Sequence, residues 1–520
     1  MTDVRILSES LGGTPLSLLL QRGEAPSDWM PSAPAGPDAW RRMATERARA
    51  ADWNASWAVL EPALSASGEA AQRLARVRRE GGVVVTTGQQ PGLFGGPIYT
   101  WSKAVGALAL ADALERATGI PTAAIFWAAT DDADFAEASS TVIARAGGAD
   151  RLEHRQVPEP GTPMSLAPVG DLQAQLTLLG TACGSGVDPR PLEVVRRAYG
   201  DPRQTVGGAY VELVRSLLAP LGVPVLDASH PAVASAGAPV LRDALTSAAA
   251  VEGALLRRTG ELRDAGFEPQ VEDMPGLTLV FGRDGTRKRR LAVDERIADS
   301  VVLTPNVLLR PILERAILPT VAYWAGPGEL AYFAQVSAAA GGMGREAPLA
   351  VPRWSCTLLE PHIRAVLERL ELQPEDLSRP HAAERRLARE AMDPRTAGGL
   401  AGLRAEVAAL SDRLGPEPRA LRLDAVVQGA IASLQHRIDR LERRLLAGVA
   451  RREVDRMRDL GTARGALYPL GGRQERTLNL IPILARHGTE LLGEMHAAAA
   501  SYADEIVGGA RVATPATPAA

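Results

Sequence analysis

The sequence predicts an α/β fold: a doubly wound core around a parallel sheet, with insertions, joined to an α-helical coiled-coil domain. Three observations predict it. A β-branched run, Val83-Val84-Val85-Thr86-Thr87, leads through a glycine-dense loop into a helical pattern from Tyr99 to Ala117 and on to a second apolar run, Ala123 to Ala129. That is a βαβ unit, and short apolar runs suit strands buried on both faces. A second strand, glycine, helix junction follows at Thr320-Val321-Ala322-Tyr323-Trp324, Gly326-Pro327-Gly328-Glu329 and Leu330-Ala331-Tyr332-Phe333. Finally, Leu400, Leu403, Val407, Leu410 and Leu414, then Val427, Ile431, Leu434, Ile438, Leu441 and Leu445, recur at spacings of three and four around Gly415-Pro416-Glu417-Pro418. Heptads on both sides of a turn predict an antiparallel helical hairpin.

Composition sets the class. A chain of 520 residues suggests two to four structural units. Apolar residues make up 46%, enough for a large core, but aromatics only 4%, so Leu, Val and Ala must fill it. A net charge of -3 argues against a nucleic-acid-binding surface. The two cysteines, Cys183 and Cys356, exclude a disulfide scaffold and a cysteine-rich zinc site and fit a reducing cytosol. The first twenty residues carry Asp3 and Glu9 and no long apolar segment, so no signal peptide is expected, and no run reaches membrane-spanning length. The expectation is a cytoplasmic protein that uses neither a metal nor a membrane.

Residues 1–80 read as a helical lead-in, with Trp29, Trp40, Trp53 and Trp57 as packing residues. The core is expected over 81–355. Its loop Gly88-Gln89-Gln90-Pro91-Gly92-Leu93-Phe94-Gly95-Gly96-Pro97 lies past the carboxyl end of a strand, where such sheets bind ligands. Glycines admit close backbone approach, and a helix N-terminus favours anions. The loop matches neither a P-loop nor the dinucleotide fingerprint, and an ordinary strand-to-helix turn is the alternative. The next strand ends in Asp131-Asp132-Ala133-Asp134 at the same edge.

Two insertions are expected, at about 146–205 and 266–300. The first holds Cys183, read as an incidental loop cysteine. Between them, Val223 to Asp227 is a strand with Asp227 and His230 at its end, open to either ligand contact or helix capping, and a long helix is expected from Pro239 to Ala265. The second is β-rich, with a hairpin at Arg283-Asp284-Gly285. Its return strand carries Arg287-Lys288-Arg289-Arg290, a solvated face or a phosphate contact. Thr304 to Pro311 opens a helix capped by Thr304 or Asn306, with Arg310 as a clamp for carboxylate or phosphate. Leu349 to Arg353 is one more strand, kept at an edge by Pro352. The coiled-coil hairpin spans 356–465, and 466–505 returns to the core through Arg473, Gln474, Glu475 and Arg476. Residues 506–520 end in a disordered Ala, Thr and Pro tail.

These blocks together resemble the bacillithiol biosynthesis cysteine-adding enzymes, also called cysteine ligases. The resemblance rests on Thr87 to Leu93 with Gly96 to Thr100, Phe126-Trp127 with Asp132 to Phe135, Pro305 to Pro311, Gly326 to Glu329 with Ala331 to Gln335, and Gln474-Glu475-Arg476. They occur in the family's order over about 80–500. The resemblance implies a Rossmann-like core with connecting-peptide insertions, similar to class I aminoacyl-tRNA synthetases, and a coiled coil that forms a homodimer. It implies an ATP-dependent ligase adding cysteine to the amino group of glucosaminyl-malate, with ATP as co-substrate and no tightly bound cofactor. On that footing Asp132, Asp134 and Lys103 are the catalytic candidates. Gln89, Gln90, Gly92, Gly96, Tyr99, Asn306, Arg310, Gly326, Glu329 and Tyr332 would bind substrate, and Arg473, Gln474 and Arg476 nucleotide.

The chain departs from the family pattern in two places. Ala133 stands where the acidic block usually has histidine, and Glu268 follows Gly266-Phe267 where an imidazole is common. Imidazole is the natural proton shuttle near neutral pH. Its loss keeps open a divergent ligase with another amine acceptor, or a non-catalytic nucleotide-binding dimeric scaffold.

Overall fold

The computed structural model describes residues 2–50, 53–298 and 300–509, without the side chains of 53–56 and 284. The expected tail from Ala513 and the side chain of Trp53 lie outside the described residues. The chain forms two compact units. One comprises the described residues of Met1–Ile143, Arg151–Leu358 and Glu475–Ala520, the other Ala144–Asp150 and Leu359–Gln474.

The first unit is built on a five-stranded sheet. Its strands are β1 (Val83–Gln89), β2 (Thr122–Ala128), β3 (Val225–Asp227), β7 (Thr320–Ala325) and β8 (Ala350–Pro352). The spatial order is β8-β7-β1-β2-β3, and every pairing is parallel. Order therefore reverses between β1 and β7, the switch point at which doubly wound sheets open a ligand crevice. β2 and β7 are buried along their whole length, as unbroken apolar runs require. β8 lies at the edge, where the missing N–H of Pro352 breaks no ladder on its outer side.

Both faces of the sheet are covered. On one, Val84, Ile125, Trp127, Leu226 and Tyr323 join Ile312, Leu313, Leu330 and Phe333 of the helices α2 (Arg310–Ile317) and α3 (Pro327–Gly342) in one core cluster. On the other lies α1 (Ile98–Thr118), which the C-terminal helix Leu491–Gly508 packs against. Gly106 of α1 gives Trp324 of β7 its room. Trp29, Trp40 and Trp57 are buried, as packing residues should be.

A second sheet adjoins the core. β4 (Leu277–Asp284) is central, flanked by β5 (Arg287–Ala292) and β6 (Val302–Pro305), all antiparallel. The predicted turn at Gly285 is there. The stretch expected to begin a helix at Thr304 is instead strand β6. Its backbone completes the ladder with β4, and the helix waits until Arg310. The long helix expected from Pro239 is two, Pro231–Thr246 and Ala248–Asp264, broken at Ser247. Cys183 ends the helix Gln173–Cys183, buried, and burial pushes its thiol up to about 11, which disfavours the reactive thiolate.

In the second unit the hairpin's first arm, Pro394–Ala408, packs on the second, Asp424–Arg452. Arg404 ties them through Asp439 and Glu442. Short helices at Leu410–Leu414 and Glu417–Ala420 make the turn. Only one heptad row is used: Ile431 and Ile438 are buried, whereas Leu434 and Leu441 are 40% and 45% exposed.

The α1–β7 contact yields a test. A Cβ at Gly106 would stand 2.6 Å from the indole nitrogen of the fully buried Trp324. Gly106→Ala gains ~1 kcal/mol of helix propensity, but overpacking a rigid core costs ~1–3 kcal/mol. The substitution is expected to lower Tm by a few degrees in a thermal melt; an unchanged or higher Tm would contradict this packing.

Candidate functional site

The two strand-to-helix junctions open onto one cleft of about 610 Å³ at the switch point. Gly88, Gln89 and Gln90 from the end of β1 line it, with Gly326, Pro327, Gly328 and Glu329 from the end of β7. Asp131 to Asp134 come from the end of β2, and Phe281, Lys288 and Arg290 from the second sheet. The volume lies within the range of small-molecule sites.

Its floor is a buried polar network. Lys103, one turn into α1, is 2% exposed. Its ammonium donates to the Gly88 carbonyl, to Glu329 Oε2 at 2.8 Å and to Gln89 Oε1 at 3.3 Å. Glu329 Oε2 also takes the Gly326 N–H at 2.7 Å, and its Oε1 the Tyr323 hydroxyl at 2.5 Å. Burial raises the Glu329 carboxyl, but Lys103 and Arg310 outweigh it and hold it below the ordinary carboxylate value. Burial lowers Lys103, and Glu329 opposes that shift. An ammonium has three donors, and all three are engaged. Lys103, a catalytic candidate, lines the cleft and fixes Glu329 and the end of β1.

Arg310 extends the network. Its Nη2 donates to Tyr323 and Tyr332, each at 3.1 Å, and its Nη1 lies 3.4 Å from Glu314 one turn on. A Cβ at Gly88 would sit 3.3 Å from that Nη1 and 3.0 Å from the Trp127 carbonyl, so only glycine fits there without displacement. Burial pushes the Glu314 carboxyl up to about 7, against the pull of Arg310.

The glycine loop departs from its expected role. Gly92 and Gly96 do not line the cleft. A Cβ on Gly92 would stand 2.6 Å from the Gly96 Cα, so these glycines let the loop fold on itself. The buried Asn479 amide donates to the Phe94 carbonyl at 3.0 Å and to Thr141 at 3.1 Å. The Ile98 N–H, at the start of α1, donates to the Leu478 carbonyl at 2.9 Å. The returning C-terminal segment thus occupies the place foreseen for an anion.

Other candidates divide. Asp132 accepts from the Gln90 side chain, and Gln89 donates to the Tyr99 hydroxyl at 3.1 Å. Asp134 accepts the Ala136 N–H at 3.1 Å, a helix cap at the cleft's rim. Asn306 takes the N–H groups of Leu308 and Leu309 in the turn before the helix, whose N-cap is Leu309, while its buried Nδ2 has no partner among the described residues. Asp227 bonds Thr130 and Ser229, and His230 caps Ala232; neither lines the cleft. Of the nucleotide candidates, Arg476 lines the cleft, Gln474 is 1% exposed, and Arg473 and Gln474 belong to the second unit. Ala133 lines the cleft where an imidazole was expected, and Glu268 lies outside it.

The basic run on β5 splits by strand period. Lys288 and Arg290 face the cleft, while Arg289 pairs with Glu295 outside it. Lys288 pairs with Asp131 at 3.4 Å. Arg290 and Arg476 make no ion pair among the described residues, so the cleft keeps two uncompensated guanidinium groups.

Sequence reasoning missed Arg353, just past the end of β8. It lines the cleft, donates to Glu475 at 2.6 and 3.0 Å and lies 5.9 Å from the Tyr99 ring. Its place at a strand's carboxyl end was the available signal. Glu314 and Tyr323 were missed as well, and the four-residue spacing from Arg310 could have pointed to Glu314.

Glu314 makes stability depend on pH. A carboxyl whose folded pKa is near 7, against about 4.5 unfolded, holds a proton in the folded state alone between those values. Its contribution is therefore full below about pH 4.5 and is lost as pH rises to 7, up to ~3 kcal/mol. Glu314→Gln stays neutral throughout. Its Tm relative to wild type is expected to rise between pH 5 and 8, and a difference flat across that range would refute the shift.

Comparison with known proteins agrees with this geometry. Residues 55–298 and 293–354 match the model of the bacillithiol biosynthesis BshC N-terminal Rossmann-like domain, and 356–505 that of the BshC C-terminal coiled-coil domain. A protein of Solibacter usitatus named "Putative cysteine ligase BshC" is 32% identical over 456 residues, 84% of this chain and 86% of that protein. Proteins of the same name from Koribacter versatilis and Symbiobacterium thermophilum are 32% and 29% identical, over 84% and 89% of this chain and 85% and 92% of theirs. The Rossmann-like sheet, the coiled-coil hairpin and matches covering most of the sequence make this chain a member of the bacillithiol biosynthesis BshC family.

Proposed function

We propose that the protein is a cysteine ligase of bacillithiol biosynthesis that joins the carboxyl of cysteine to the amino group of glucosaminyl-malate, with ATP as co-substrate. The observation that carries the reading is the single cleft shared by both glycine-bearing junctions, in a chain whose relatives are named cysteine ligases. Amide formation from a free carboxylate needs an activated acyl group and an amine held for attack. Asp132 and Asp134 present carboxylates to an ammonium group. Arg290 and Arg476 supply the positive charge that a triphosphate requires. Tyr99, Asn306 and Tyr332 add polar contacts, and the Lys103–Glu329–Arg310 network holds the floor. No tightly bound cofactor is needed. ATP and free cysteine as substrates fit a reducing cytoplasm.

Ala133 favours a second reading, a ligase of the same chemistry with another amine acceptor. Purified protein incubated with ATP, cysteine and glucosaminyl-malate separates the readings by mass spectrometry. Formation of bacillithiol supports the first. ATP consumption with cysteine, only when a different amine is supplied, supports the second. ATP binding without turnover of any amine would leave a nucleotide-binding scaffold and overturn both. In the first case Asp132→Asn and Arg476→Ala are each expected to lower kcat/KM by about 10–100-fold, or ~1.4–2.7 kcal/mol.

We also propose that the coiled coil pairs two copies of the chain. Leu434 and Leu441 stand one heptad apart, both exposed, beside a row already buried within the hairpin. A half-used seam of this kind suits a second helical hairpin. Leu434→Glu with Leu441→Glu is expected to convert a dimer to a monomer in analytical ultracentrifugation. A monomeric wild type, or a dimer that survives both changes, would exclude this interface.

A further inference from the structure

A second, smaller cavity adjoins the cleft. It measures about 40 Å³ and shares Asp131, Lys288 and Pro305 with the cleft wall. The Lys288–Asp131 pair is thus the partition between the two spaces. Lys288 Nζ donates to the Asp131 backbone carbonyl at 2.9 Å, lies 3.4 Å from its carboxylate and sits 4.7 Å from the Phe281 ring centroid.

Two polar groups around this cavity have no use in the fold. Trp127, at the carboxyl end of β2, is 1% exposed, and its indole N–H has no acceptor among the described residues. Thr304 of β6 lines the same space, and its buried Oγ1 has no partner there either. Buried donors are nearly always satisfied, because each orphan costs ~1–3 kcal/mol. Two beside one cavity mark a place where something else supplies the acceptor. The charged residues on the wall are Arg283, Lys288 and Asp131, a net positive balance that selects an anion.

Size narrows the anion. A water needs roughly 10–15 Å³ of such space, so the cavity holds about three heavy atoms. A carboxylate has three and a phosphate five. We propose that this cavity is a carboxylate subsite for the amine acceptor, with the Trp127 N–H and the Thr304 hydroxyl donating to the carboxylate oxygens and Lys288 and Arg283 supplying charge. The inference rests on the ligase reading, since it assigns one acid group of that acceptor. Entry moves Lys288 from Asp131 to the incoming carboxylate, so one ion pair replaces another. An acceptor without the acid group leaves both donors unsatisfied, which is how a buried polar site rejects a near-isostere.

The probe is L-malate, titrated calorimetrically into the full-length protein without ATP or cysteine, against its diamide. Wild type is expected to bind malate at least tenfold more tightly than the diamide. Thr304→Val and Arg283→Gln should each weaken malate three- to tenfold. Thr304→Val should not lower Tm, because the hydroxyl has no bond to lose and its removal relieves a buried orphan, so weaker binding by this variant is not a folding defect. No malate binding at millimolar concentration, equal binding of the diamide, or unchanged affinity in both variants would overturn the subsite. In turnover assays the same variants should raise KM for the carboxylated acceptor and leave KM for cysteine in place. Variant-sensitive malate binding in a protein that ligates nothing would sink the ligase reading and keep the subsite. Turnover and malate binding that are both indifferent to the variants would do the reverse.

Discussion

The Lys103–Glu329 ion pair is the constraint on which the cleft depends. Lys103 belongs to the helix after β1 and Glu329 to the helix after β7, and these strands are neighbours at the switch point. The pair therefore bolts together the two junctions that make the crevice. Its side chains are 3% and 17% exposed, and removing two such charges from water costs several kcal/mol each. Coulomb attraction alone rarely repays that. Here the remaining valences are filled by the Gly88 carbonyl, Gln89, Tyr323 and the Gly326 N–H. A fully satisfied network has one low-energy geometry, whereas deleting either charge strands its partner, at ~3–5 kcal/mol.

The same economy explains which groups are left for ligand. Cations that the fold needs are paired: Lys103 with Glu329 and Arg353 with Glu475. Arg290 and Arg476 are not, although burial disfavours the charge on Arg290. A guanidinium kept partly buried without a counter-ion is a cost to folding that an anionic ligand offsets. Asn306 repeats the logic in a neutral group, one end of its amide spent on the turn before the helix and the other left without a partner among the described residues.

Much of this was legible in the chain because it is local. Continuous β-branched runs, the Asp284-Gly285 turn and Pro352 at an edge each follow from the residue itself and its immediate neighbours. The bonds of the Asn306 side chain to the turn that follows it are local too. What could not be read is what lies across the fold. The glycines at 92 and 96 look the same in sequence whether they cradle a phosphate or press against each other, and the difference is made by Asn479, nearly four hundred residues on. The partner of Lys103 could not be read either, because nothing near it in sequence announces Glu329. Position 304 looked like a helix start because Thr-Pro-Asn is a capping pattern, and the β4 ladder overrode it.

That distant segment bears on the chemistry. An amide-forming site must exclude water from an activated acyl group while admitting a bulky amine. Asn479 and Leu478 fill the mouth of the glycine loop, and Glu475 draws Arg353 against the cleft wall at 2.6 Å. Ser102 and Ser355 lock the same carboxylate at 2.6 and 2.7 Å. Residues 475–479 therefore support the cleft, and Arg476 among them lines it, although they stand more than a hundred residues beyond the last strand of the sheet. A loop that spends its glycines on packing has no need to move when substrate arrives. On the proposed reading, specificity resides in the groups without an ion pair or partner in the fold: Arg290, Arg476, the amide nitrogen of Asn306 and the donors behind Lys288. Ala133 fits this division, since a methyl group there adds space where an imidazole would have added a base. On the proposed ligase reading, the proton released on attack would leave through the Asp132 and Asp134 carboxylates or through the open mouth of the cleft to solvent.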